Sequence, residues 1–224
     1  MSELAPAERL ERLAKAGWSD VCDRILAGLC HDLNGRVTSL TGMLYLLQLD
    51  DDPASITPLL DKEVSRLSEA VLLIRRLAGE IDEEPEALHL PDILPELVEL
   101  FGKHRHLEAI ETTLTHDPGL SPAISRLTLM SRCFLLLLSL SGRSAAGRDR
   151  RLSIHVAVEG DGVARIRAVA HGGLNDAVAL PPRAAREEGM AALTALIGAS
   201  WHSEESPHQQ VFEIALPLMA RVGG

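Results

Sequence analysis

Two apolar stripes of similar period dominate the first third of the chain and leave few folds open to it. Val21, Ile25, Leu29, Leu33, Val37, Leu40, Leu44 and Leu47 recur every three or four residues, the spacing that lines up side chains on one face of an α-helix. Ser19 or Asp20 is placed to cap this helix, with a short leading helix before it. Acid and proline in "DDDPAS", Asp50 to Ser55, end the stripe. A second stripe follows with Ile56, Leu60, Val64, Leu67, Val71, Ile74, Leu77 and Ile81. Two long helices joined by a short turn make an antiparallel hairpin. A hairpin buries each stripe on one side only, so the pattern predicts a homodimer whose second copy closes a four-helix bundle.

Beyond the hairpin the pattern mixes. "DEEPEALHLPD", Asp82 to Asp92, is acidic, proline-bearing and aperiodic, and reads as a linker. Two domains are therefore expected, a helical hairpin over residues 1–84 and a second unit over 85–224. In that unit "ILPELVELF" is a short helix, and "ETTLTHD" alternates as a strand does. "SPAISRLTLMSRCFLLLLSLSG" is apolar almost all round, which predicts a deeply buried helix. "RLSIHVAV" and "ARIRAVA" are alternating strands parted by the turn "EGDG". "PRAAREEGMAALTALIGA" reads as a helix and "QQVFEIALPL" as a closing strand. This order predicts an α+β fold with a two-layer sandwich after the hairpin.

Composition narrows the partners. The net charge of -10 lacks the basic footprint of a nucleic-acid binder. Hydrophobic residues make up 46% of the chain and aromatics 3%, so the core is expected to rest on Leu, Ile, Val and Ala. Cys22, Cys30 and Cys133 form no CxxC pair; Cys22 and Cys30 lie in an apolar helical pattern, so reduced core thiols are expected. The longest apolar run, "CFLLLLSL", is too short to span a bilayer, and the charged start lacks a signal-type apolar segment. A cytoplasmic protein without membrane contact is expected. "KHRH", Lys103 to His106, has no third metal ligand at useful spacing and reads as a solvated loop. "HGGLND" lacks the strand, helix and lysine that a phosphate loop needs.

The first stripe holds a chemical oddity. Gly28, Gly35 and Gly42 stand seven apart inside it, although each glycine costs a helix about 1 kcal/mol relative to alanine. His31 is two residues past Leu29 and two before Leu33, so it points nearly opposite the stripe. Ala27, Gly28, Asn34, Gly35, Thr38 and Gly42 share that outward face, and all are small or short. A neutral imidazole is a nucleophile at physiological pH, and the adjoining Asp32 can orient it or accept its proton. An exposed histidine without a role is the simpler reading of the spacing alone.

"CHDLNGRVTSLTGMLYLL" resembles the phospho-acceptor box of bacterial sensor histidine kinases, whose pattern runs His-[Asp/Glu]-Leu-x-[Asn/Thr]-Pro-Leu before an apolar helix. The resemblance implies that His31 carries the phosphoryl group with Asp32 as its acidic neighbour. It implies that Gly28, Asn34, Gly35, Thr38 and Gly42 meet a partner, and that the second domain resembles the kinase-type ATPase domain. The family's nucleotide boxes are degenerate here. Ser141 and Gly142 stand at the Asn-Ala pair that holds magnesium, "AHGGL" (Ala170 to Leu174) has no adenine-recognising aspartate, and "GMAAL" keeps Gly189 alone of its glycines. Gly35 replaces the usual Asn or Thr that positions water, and Arg36 replaces the proline. Together these imply a dimeric histidine phosphotransferase of a phosphorelay. It would exchange phosphoryl groups with response-regulator receiver domains and bind no cofactor, the magnesium belonging to the receiver. A non-catalytic adaptor and a divergent active kinase are the alternatives.

Overall fold

The computed structural model describes residues 6–49, 55–77, 84–104, 107, 109–159, 162–173 and 184–218. A single helix α1 (Pro6–Leu49) runs 44 residues without a break. The expected cap near Ser19 and Asp20 is therefore absent. The Ser19 hydroxyl donates to the Lys15 carbonyl one turn back at 2.8 Å, and Asp20 accepts from Arg24 one turn on at 3.0 Å. Both polar groups are engaged along the helix, so nothing starts a new one. Helix α2 (Thr57–Leu77) packs back against α1, tied by Arg36 to Glu63. The turn at 50–54 and Ile81 lie outside the described residues.

The sandwich is built on a mixed sheet ordered β2-β4-β5-β7-β6. Its strands are β2 (Glu111–His116), β4 (Arg151–Glu159), β5 (Val163–His171), β6 (Ser200–Glu205) and β7 (Gln209–Pro217). The pair β2–β4 is parallel and the others are antiparallel. Strict alternation decides which face is inward: Leu152, Ile154 and Val156, then Ala164, Ile166 and Ala168, then Phe212, Ile214 and Leu216 are all buried. Helices α3 (Leu90–Phe101), α4 (Leu127–Ala146) and α5 (Ala184–Leu196) cover that face. The all-round apolar α4 is buried from Thr128 to Leu140 with Arg132 as the break, as its pattern predicts.

Three short strands escape the periodicity. The expected linker at 82–92 contains β1 (Glu86–Leu88) and the start of α3, and Ala123–Ser125, read as part of a helix, is strand β3 paired with β1. Three residues are too few to show alternation. Leu88 and Leu90 are nonetheless buried, which anchors this segment to the core. Strand β6, "SWHSEE", carries one apolar residue and was not expected.

One hydrophobic core joins hairpin and sandwich. Ala14, Trp18, Val21, Ile25 and Leu29 of α1 belong to the same cluster as Leu97, Phe134, Met190 and Phe212. Past Leu29 the helix leaves that core, and Val37, Leu44, Leu46, Leu59, Val64, Val71 and Leu72 of the hairpin are exposed. Among the described residues, no helix is long and apolar enough to cross a membrane.

Candidate functional site

His31 sits two residues beyond the last fully buried position of α1, Leu29, and its ring is exposed. It lies on a shallow open groove of about 270 Å³ lined by His31, Asp32, Gly35, Arg36 and Ser39 of α1 and Glu63 of α2. Among the described residues, His31 makes no hydrogen bond or ion pair. An imidazole held on a helix and open on one side can present a nitrogen lone pair to an incoming electrophile.

Asp32 does not bond the imidazole. Its carboxylate accepts from the Lys103 ammonium at 2.7 Å, a tie between α1 and the segment that follows α3. Each partner is about one-third exposed, so the pair contributes no more than about 1 kcal/mol. Sequence reasoning missed Lys103, because "KHRH" drew attention to its histidines.

The three evenly spaced glycines have two different causes. A Cβ on Gly28 would lie 1.7 Å from the Lys103 carbonyl oxygen. Gly28 is thus required by the close approach of the chain's own loop, and it is not part of an open face. Gly35 and Gly42 have nothing within 4 Å of such a Cβ. Asn34 and Thr38 are exposed, and the Thr38 hydroxyl donates to the Asn34 carbonyl at 2.9 Å. The structure therefore gathers His31, Asp32 and Gly35 on one groove, leaves Asn34, Thr38 and Gly42 exposed beyond its lining, and turns Gly28 inward. Sequence reasoning also missed Ser39 and Glu63, which reach the groove only once the hairpin closes.

The positions matched to the nucleotide boxes do not fit magnesium and ATP. Ser141 is fully buried and its hydroxyl donates to the Leu137 carbonyl at 2.8 Å. A Cβ on Gly142 would meet the Phe101 ring at 2.7 Å. Ala170 is buried in the sheet and has no side-chain oxygen. Gly189 carries no free backbone either, because α1 crosses α5 there, and a Cβ on Gly189 would lie 2.6 Å from the Gly17 Cα. Beside this crossing the Asp20 carboxylate accepts from Arg186, from Arg143 at 3.4 Å and from Arg24 at 3.0 Å. Burial alone would raise the Asp20 carboxyl, but the hydrogen bonds and charges of Arg186 and Arg24 hold it below its ordinary range. Burial, reinforced by the nearby Arg186 charge, brings the Arg143 guanidinium down to about 10. Arg132 lies over the Trp18 ring, 5.7 Å from its centre. Among the described residues, no three His, Cys, Asp or Glu side chains are grouped to hold a metal.

"KHRH" is not a solvated loop at its first two positions. Lys103 is ion-paired, and His104 is 1% exposed with neither ring nitrogen hydrogen-bonded. Its ring lies 5.9 Å from that of Phe101, and burial pushes its pKa down to about 4. Arg105 and His106 lie outside the described residues, as does the end of "HGGLND". Cys30 is exposed rather than in the core, Cys22 is half-buried, and burial drives the Cys133 thiol up to about 12.

Solved structures similar to this chain include sensor histidine kinases and a phosphotransferase. The Acinetobacter baumannii histidine kinase AdeS matches 85% of this chain and 98% of its own, at 14% identity and a TM-score of 0.48. A bacterial phosphotransferase matches over 87% of this chain and 95% of its own, at 14% identity and a TM-score of 0.44. The mycobacterial sensor histidine kinase MprB matches over 60% of this chain and 97% of its own, at 14% identity and a TM-score of 0.47. No protein-family model and no curated protein sequence matches.

Proposed function

We propose that the chain is a dimeric histidine phosphotransferase, in which His31 exchanges a phosphoryl group with the aspartate of a response-regulator receiver domain. The observation that carries this reading is the exposed, unbonded imidazole of His31 on a groove left bare at Gly35. In the transfer, the lone pair of an unprotonated ring nitrogen forms the P–N bond. The P–O bond of the receiver's acyl phosphate breaks, and its electron pair leaves on the aspartate carboxylate. The proton of the second ring nitrogen passes to solvent. Receiver magnesium supplies charge neutralisation for the transferring oxygens. This chain contributes a fixed nucleophile and an open approach, and such positioning supplies much of the rate of a group transfer. The internal use of Gly189, Ser141 and Ala170 supports a chain that receives its phosphate from a protein rather than from ATP. The exposed Val37, Leu44, Val64 and Val71 support a second copy as their cover.

Mixing the chain with a receiver phosphorylated by acetyl phosphate should leave acid-labile, base-stable phosphate on the wild type and none on His31→Ala. Gly35→Leu should retain the nucleophile and block the approach. Phosphate on His31→Ala would place the acceptor elsewhere. Receiver binding without transfer would favour the adaptor, and micromolar Mg-ATP binding by calorimetry would restore the kinase.

A further inference from the structure

The groove holds a cation that the transfer above leaves idle. Arg36 contacts Glu63 through Nη1 at 3.4 Å, and its Nε is buried without a hydrogen-bond partner. The other charges nearby are held more closely: Asp32 has Lys103 at 2.7 Å, and Glu63 has Arg66 at 2.8 Å. Arg36 is thus the loosest member of the set, and Glu63 keeps a cation if Arg36 departs. Its side chain lines the same groove as His31 and is about one-quarter exposed.

We propose that Arg36 is the phosphoryl ligand of this groove, exchanging its long contact with Glu63 for the oxygens of the group on His31. The proposal rests on His31 being the acceptor. A phosphoryl group brings roughly two negative charges and three acceptor oxygens. The planar guanidinium fork matches two such oxygens at once, which a single distant carboxylate oxygen does not use. Glu63 then has a second function, because with Arg66 it parks Arg36 while His31 is unmodified. No bond of the transfer step changes; Arg36 meets charge as it arrives on the transferring oxygens.

A structural tie between α1 and α2 would also explain the Arg36–Glu63 contact, and the two roles give opposite results at Glu63. The test uses the full chain and potassium phosphoramidate, which phosphorylates histidine without any protein donor. A receiver charged with acetyl phosphate serves in parallel. Arg36→Gln should slow uptake at His31 about tenfold, the effect of losing one charge-assisted contact, and should move the 31P resonance of the phosphohistidine. Arg36→Lys should recover part of the rate. Glu63→Gln should speed uptake, because it releases Arg36. Wild-type rates and an unchanged 31P resonance in Arg36→Gln would overturn the proposal, as would a Glu63→Gln loss equal to that of Arg36→Gln. If Arg36→Gln fails to fold by circular dichroism, Arg36→Lys and Glu63→Gln decide. Robust receiver transfer with no Arg36 effect removes this inference alone. Phosphoramidate labelling of His31 that depends on Arg36, with no transfer from any receiver, removes the relay and leaves the ligand assignment standing.

Discussion

The two halves of α1 carry the same apolar stripe and meet opposite surroundings. In the first half Val21, Ile25 and Leu29 are all 0% exposed, covered by the helices of the sandwich. In the second half Val37 and Leu44 are each 54% exposed, although α2 runs alongside. Periodicity specifies which face of a helix is apolar and says nothing of what will cover it. The first half is covered within the chain and the second keeps its apolar side chains exposed, with His31 at the change-over.

The sharpest way to break this contrast is to truncate matched leucines. Leu29→Ala should cost about 2–5 kcal/mol in urea unfolding, because it empties a fully buried site. Leu44→Ala should change the unfolding of the dissociated chain by no more than about 0.5 kcal/mol. Leu44→Asp should abolish self-association in light scattering, since it would place an unpaired charge inside the proposed bundle. A chain that is already a monomer before substitution would remove the dimer.

A second difference is electrostatic and lies where the first half meets the sandwich. His104 is buried there near Arg143, Arg24 and Asp20, with its pKa lowered to about 4. A histidine whose folded pKa is depressed favours the folded state above its unfolded value, about 6.5, and that advantage is lost as pH falls toward the folded value. Between pH 6.5 and 4 the wild type should therefore lose about 3 kcal/mol that His104→Leu retains. Parallel denaturant titrations at pH 7 and pH 4 measure this, and equal pH slopes for the two proteins would show that His104 is hydrated in solution.

The smallest effects separate the glycines. Gly28→Ala should cost about 1–3 kcal/mol, because its Cβ must displace the Lys103 carbonyl. Gly35→Ala meets open space and should stabilise the helix by up to about 1 kcal/mol. Equal melting shifts for the two would contradict the inward turn of Gly28.

Much of the fold could be read from periodicity. The hairpin stripes, the all-apolar α4, the β4–β5 pair and the closing β7 each repeat over enough residues for one face to be recognised. The strands β1, β3 and β6 were hidden because three residues, or six with one apolar side chain, carry no period. Ser19 and Asp20 look like a helix start in sequence, but a capping residue can equally bond along its own helix, as both do here. At the site, His31 was legible from its offset against the Leu29–Leu33 stripe. The sequence by itself determined that this residue faces away from the stripe, because helical geometry is local. Only the tertiary structure decided that Lys103 takes Asp32, that Gly28 yields to a carbonyl 75 residues away in sequence, and that Arg36 and Glu63 share His31's groove. Those contacts join segments whose separation along the chain carries no period, so they exist only once hairpin and sandwich have packed together.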